Sequence, residues 1–227
     1  MRRIVVMNTK GGCGKTTIAT NLASYYARQG HVTALFDYDA QHSSSHWLKL
    51  RNGNAAPIHG VTAYERTPLT MTRSWQLRVP PETDRIVVDT PASIDRQDFL
   101  DHVRQVDAIL IPVLPSPIDT SAAADFVRDL FLIGKVRGDR VQVGIISNRV
   151  RANTRAFQAL TRFLGSLDIP VVAQLRDSQG YVHATDQGCG IHELNDSRAA
   201  RERHHWRRVY RWLEEGRSGL SPTPRPL

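Results

Sequence analysis

Ile4-Val5-Val6-Met7-Asn8-Thr9-Lys10-Gly11-Gly12-Cys13-Gly14-Lys15-Thr16-Thr17 reads as a buried strand, a glycine-built turn and the opening of a helix. Glycine tolerates positive φ, so Gly11, Gly12 and Gly14 let the backbone curl until several N–H groups point inward. A helix that opens at Lys15 adds its own free N–H groups and the positive end of its dipole. A turn of this kind cradles phosphate. Lys15 brings a point charge to the β and γ phosphates of a nucleotide, and the Thr16 hydroxyl is placed to ligate Mg²⁺. Lys10, Cys13 and Thr17 complete the loop.

Outward from this loop the chain alternates short apolar runs with longer helical stretches. Ile4 to Met7, Val32 to Phe36, Ile86 to Val88, Ala108 to Val113, Val141 to Ile146 and Ile169 to Ala173 are rich in Val and Ile and lack polar alternation. That is the pattern of parallel strands covered on both faces. Helices are predicted over 15–29, 43–50, 96–106, 120–133 and 154–167, with Gly30, Gly134 and Gly165 near their ends. The alternation predicts an α/β fold, a doubly wound, mostly parallel sheet flanked by helices. The stretch from Asn52 to Pro81 is broken by prolines, with one weak strand at 59–63. A last helix is predicted over 197–215, with Trp206, Val209, Tyr210 and Leu213 on one face, to be docked on the sheet. Residues 218–227 hold three prolines and few apolar side chains, the composition of a disordered tail. One domain is therefore expected over 1–217.

At 227 residues, with 41% hydrophobic and 23% charged side chains, the chain can bury a sizeable core. The two cysteines, Cys13 and Cys189, have no second cysteine at ligand spacing, which argues against zinc and against an iron–sulfur centre. With Cys13 inside the loop, a structural disulfide is not expected, and a reducing cytoplasm fits. No apolar run has transmembrane length. The net charge of +8 and pI of about 10.0 suit a polyanionic partner, nucleic acid or anionic membrane, or else only a solubilising surface.

Two acidic motifs follow the loop. Asp37-Tyr38-Asp39-Ala40-Gln41 ends the second strand and sets two carboxylates on one side. Ile86-Val87-Val88-Asp89-Thr90-Pro91 places Asp89 at the C-terminal end of a strand, where ligands bind in open α/β sheets. With Lys10 ahead of Lys15, the loop resembles the deviant Walker A motif, K-G-G-x-x-K-[ST], of the ParA/MinD family of P-loop ATPases. The first acidic motif is similar to that family's D-x-D-P-Q switch, with Ala40 in place of the usual proline. Leu114-Pro115-Ser116-Pro117-Ile118-Asp119 and Leu175-Arg176-Asp177-Ser178, with Tyr181 and Ala184, resemble segments of the small, ParF-type plasmid-partition ATPases. The resemblance covers roughly residues 3 to 215.

It implies ATP and Mg²⁺ as ligands, held by Lys10, Gly11, Gly12, Cys13, Gly14, Lys15, Thr16 and Thr17. Lys10 would reach the nucleotide of a second copy across an ATP-bound homodimer. Asp39 would orient the attacking water, with Asp37 and Asp89 beside Thr16 in the Mg²⁺ shell; the roles of Asp37 and Asp39 could be exchanged. Adenine is expected near Asn148, which could equally belong to a strand-end turn. Arg149, Val150 and Arg151 follow it, so no N-K-x-D guanine signature is present and ATP is favoured over GTP.

The family further implies non-specific binding to nucleoid DNA, and a ParB-like or other adaptor that stimulates slow hydrolysis. The cargo would be a plasmid, a chromosome region or a protein organelle such as a carboxysome. Candidate DNA contacts are Arg149, Arg151 and Arg155, with Arg201, Arg207 and Arg208 among the arginines of the last helix, because arginine forks suit phosphate oxygens. The sequence opens at the first strand, so no N-terminal operator-binding domain is expected. A MinD-like membrane ATPase is the alternative, weakened by the proline-rich end. A metabolic ligase is a further class.

Overall fold

The structure, a computed structural model, describes residues 1–51, 53, 55–65, 72, 76–136, 140–195 and 199–216. Its strands are β1 (Arg2–Val6), β2 (Thr33–Asp37), β3 (His59–Thr62), β4 (Arg85–Asp89), β5 (Ala108–Val113), β6 (Gln142–Val150) and β7 (Val171–Arg176). Its helices are α1 (Lys15–Arg28), α2 (Ser43–Leu50), α3 (Arg96–Arg104), α4 (Pro117–Leu132), α5 (Arg155–Leu164), α6 (Gln179–Asp186) and α7 (Ala200–Glu215). The strands form one parallel sheet in the order β3-β2-β4-β1-β5-β6-β7. β1 is central, and the chain builds outward from it first one way and then the other. Such a switch point opens a crevice at the C-terminal ends of the strands.

Alternation along β1 divides the core between two layers. Ile4 and Val6 face Ile18, Leu22 and Tyr26 of α1, Trp47 of α2 and Trp206, Val209 and Leu213 of α7. Val5 and Met7 face Phe99 of α3, Phe126 and Leu130 of α4 and Leu160 of α5. The apolar face of α7 thus lies on the sheet, as its spacing predicts. Its end is also tied beneath the strands. Glu214 accepts from Tyr26 Oη at 2.9 Å and lies 3.6 Å from Arg2 and 3.4 Å from Arg85. Gln142 Nε2 donates to Trp212 O at 3.0 Å.

The weak strand expected near 59–63 is present as His59–Thr62 and forms the sheet edge. Other elements depart from the sequence reading. α4 begins at Pro117, not 120, because Ser116 caps it and proline occupies its first turn. β6 runs on to Val150, so Asn148 lies within a strand and not in a turn. α6 was not predicted; it has few apolar residues, and Ser178 caps it through Gly180 N at 3.2 Å. The expected tail at 218–227 and the start of the last helix at 197 lie outside the described residues.

His192 joins α1 to α7. Its ring stands edge-on to Tyr25, 5.4 Å between centroids, and Nδ1 is 3.2 Å from Tyr210 Oη, while Tyr25 and Tyr210 stack at 3.3 Å. Burial pushes this imidazole down to about 4, against a pull upward from Glu193. A depressed histidine holds the fold in its neutral form, so its contribution is present above about pH 6.5 and is lost as pH falls toward 4. We expect urea denaturation to show wild type losing about 3 kcal/mol more than His192→Gln between pH 7 and pH 4. Equal losses in the two proteins would contradict this.

Candidate functional site: a phosphate cradle at the head of the sheet

The turn after β1 is anchored before it curls. Buried Asn8 donates through Nδ2 to Pro112 O of β5 at 2.7 Å and accepts from Lys10 N at 3.2 Å. Gly14 then serves as the N-cap of α1 at φ 99°, a left-handed conformation that disfavours a side chain. No side chain caps this helix. Its first N–H groups are therefore left for a ligand, and the dipole favours an anion there. Lys15 is only 6% exposed, and its Nζ donates to Lys10 O at 3.2 Å across the turn. Cys13 Sγ lies 3.1 Å from the same carbonyl. The thiol is buried, which raises its pKa and makes it a filler of the loop rather than a nucleophile.

Asn148 reaches this loop from β6. Its Nδ2 donates to Cys13 O at 2.8 Å. A Cβ added at Gly14 would stand 2.1 Å from that nitrogen. Asn148 therefore clamps the loop backbone. A cleft beside it is lined by Thr17, Asn148, Arg149, Arg176, Asp177 and Ser178, among others, where the sequence reading expects adenine.

The carboxylates converge from neighbouring strands. Asp37 and Asp89 are in register on β2 and β4, and Asp89 is in register with Val6 of β1. Asp37 is buried and fully engaged: Oδ1 accepts from Asp39 N at 3.0 Å, and Oδ2 from Ser45 N at 2.8 Å and Ser45 Oγ at 2.7 Å. Asp89 is buried, with Ser44 Oγ donating to Oδ2 at 2.5 Å. Its Oδ1 has no hydrogen-bond partner among the described residues. Burial pushes the Asp89 carboxyl up to about 7; Asp37 adds to this, while Ser44, Thr16 and Lys15 pull it back. A buried carboxylate oxygen without a donor, beside a threonine hydroxyl, fits a hydrated Mg²⁺.

Asp39 sits half-buried on the loop after β2, where its Oδ1 accepts from Gln41 N at 2.9 Å. Lys10 is half-buried and gives the loop its carbonyl. Gly11, Gly12, Thr16 and Thr17 lie on the cradle as expected. Ser44 and Ser45 escaped the sequence reading, although a run of three serines one residue after the Asp37–Gln41 motif could have signalled them.

The arginines singled out in the sequence fall into separate places. Arg149 lines the cleft beside Asn148, and Arg151 pairs with Asp177 at 2.6 Å next to it. Arg155 opens α5 and is exposed. Arg201, Arg207 and Arg208 are exposed on α7. Arg203, Arg207 and Arg211 border a groove between α7 and α1, together with Tyr25 and Tyr210.

A central strand, a glycine loop at a helix N-terminus and carboxylates on adjacent strand ends define a P-loop nucleotide-binding protein. The CobQ/CobB/MinD/ParA nucleotide binding domain matches residues 4–189, and the chain belongs to that family. It is 28% identical over 193 residues to the maintenance of carboxysome distribution protein A of Halothiobacillus neapolitanus, covering 84% of this chain and 87% of that protein. Its fold is similar to the MinD cell division protein of Aquifex aeolicus, with TM-score 0.70 at 18% identity over 99% of this chain and 100% of that one. It is also similar to McdA of Cyanothece, solved as a complex of a variant with ATP, with TM-score 0.66 at 17% identity over 99% of each chain.

If the cradle holds phosphate, Lys15→Ala should weaken ATP binding by about 100-fold or more, as buried charge-assisted contacts are lost. Gly14→Ala should weaken it as well, through the collision with Asn148. Titration calorimetry reads both, and wild-type affinity in either variant would refute the geometry.

Proposed function

We propose that this protein is a ParA-type positioning ATPase. ATP binds with its phosphates in the turn of Lys10 to Thr17 and its base beside Asn148. Thr16, Asp37 and Asp89 would hold the shell of a Mg²⁺ ion, which would supply positive charge against the phosphates, and Asp39 would orient the attacking water. Two copies close face to face, each Lys10 reaching the partner's nucleotide. The dimer holds DNA without sequence preference, and an adaptor, ParB-like or of another kind, stimulates a slow hydrolysis that releases it. This cycle would run in the cytoplasm on the nucleoid.

The observation that carries the reading is Lys10. A phosphate loop needs one lysine, and Lys15 supplies it by crossing the turn. Lys10 is a second one, half-buried at the start of the loop, in the position where the resembled family carries its trans-acting lysine. The likeness to carboxysome distribution protein A favours a protein organelle of that kind as cargo over a plasmid. For DNA, the exposed arc of α7 with Arg201, Arg207, Arg208 and Arg211 offers phosphate contacts, and Arg155 and the cleft-side Arg149 and Arg151 are further candidates. A MinD-like membrane role is less supported, because Trp206, Val209 and Leu213 of α7 are buried against the sheet. No helix among the described residues is long and apolar enough to cross a membrane.

Light scattering should show Lys10→Ala binding ATP as a monomer, and Asp39→Ala forming an ATP-bound dimer that hydrolyses at least about tenfold more slowly. A dimer of Lys10→Ala, or undiminished hydrolysis by Asp39→Ala, would sink the assignment. DNA retention should require ATP and fall steeply with salt, and Arg207→Ala should lower the salt slope by about 1. Retention that ignores both ATP and salt would argue against DNA as the partner.

A further inference from the structure

Helix α2 is gripped at both ends, and its ends touch different parts of the molecule. At the start, Ser44 donates to Asp89 and Ser45 donates twice to Asp37. At the finish, Arg51 forks onto Glu193, Nη1 to Oε2 at 3.0 Å and Nη2 to Oε1 at 2.9 Å, with the two side chains 7% and 10% exposed. The same guanidinium donates to Gly188 O at 2.9 Å and lies over the Trp47 ring at 4.8 Å. Trp47 Nε1 donates to Cys189 O at 3.3 Å. Gly188, at φ 63°, brings its backbone so close that an added Cβ would stand 2.5 Å from Arg51 N. The turn 188–193 and the end of α2 therefore meet without slack.

That turn leads on to α7. Glu193 Oε2 accepts from Gly190 N at 2.7 Å, which fixes the turn's shape. His192 contacts Tyr210, and Arg203 Nη1 donates to Leu194 O at 2.8 Å. Both partners lie along the groove that carries Arg207 and Arg211. Both side chains of the pair are nearly buried, and Glu193 is also held by Gly190 N, so the joint is fixed from both sides. A helix of two turns moves as one body over about 12 Å.

We propose that α2 is a connecting rod between the cation site and the arginine face of α7, with Arg51–Glu193 as its coupling joint. A nucleotide and its cation draw on Asp89 and Asp37, the two carboxylates that Ser44 and Ser45 hold. The helix start shifts, and the joint carries the shift into the 188–193 turn and so to α7. By linkage, a polyanion on α7 biases the cation site in return. The identity of that polyanion rests on the reading of α7 as a DNA surface; the mechanical path does not.

Hydrogen exchange on the full chain, with and without Mg–ATP, tests this. In wild type, ATP should alter exchange in the loop 10–20 and also in 188–195 and 200–211. Glu193→Gln, which removes the charge and keeps one carbonyl acceptor, should retain the first response and lose the second, and its ATP-dependent gain in DNA affinity should fall by about tenfold. Comparing each protein with itself, with and without ATP, removes any general loss of stability. A wild-type response confined to the nucleotide loop overturns the rod, and so does a Glu193→Gln variant that responds like wild type. No response anywhere overturns the nucleotide reading and the rod together. A distant response without DNA retention upholds the rod and removes only the DNA reading.

Discussion

The site depends on a helix that starts without a cap. Most helices satisfy their first N–H groups with a serine, threonine or aspartate side chain. Here α3, α4, α5 and α6 do so through Asp95, Ser116, Thr154 and Ser178; α2 and α7 have no side-chain cap, though Ser45 N of α2 is bonded to Asp37. α1 begins instead behind a left-handed glycine with no side chain on its donors. Those donors must find an acceptor, and the geometry around them favours an anion: a dipole, a nearly buried ammonium and a carbonyl that holds that ammonium in place. The sheet order follows the same need, because only a central β1 lets strands on either side contribute to the space above the turn.

Opposed to that cationic cradle is a pair of aspartates that burial makes costly. Asp37 answers its burial with three donors. Asp89 does not, and its pKa rises accordingly. A cation beside Asp89 would lower that cost. The same cost explains why the serines that open α2 lie on these carboxylates: they supply the donors that the protein alone can offer.

The fold was legible because its strands are unbroken β-branched runs and because the nucleotide loop sits between a strand and a helix. The bounds of α2, 43–50, agree with the sequence reading. α6 was not legible, since Gln179, Gly180, Thr185 and Asp186 give no apolar stripe; it is held by a cap and by Tyr181, whose hydroxyl accepts from Trp206 Nε1 at 3.1 Å. Ser44–Asp89 and Asn148–Cys13 are contacts between distant segments, invisible to spacing. The arginines of 149–155 and of α7 looked alike in sequence. They separate in space because β6 ends at the cleft while α7 lies on the opposite layer from α5.

Two of the bonds that shape the turn come from far along the chain, Pro112 on β5 and Asn148 on β6. During synthesis the ribosome delivers the glycine loop first and its braces more than a hundred residues later. The emerging N-terminal half therefore lacks the means to hold the loop in its curled form. A loop built in this way takes its curled form only once β5 and β6 have joined the sheet, so its shape reports that the sheet has closed around its centre.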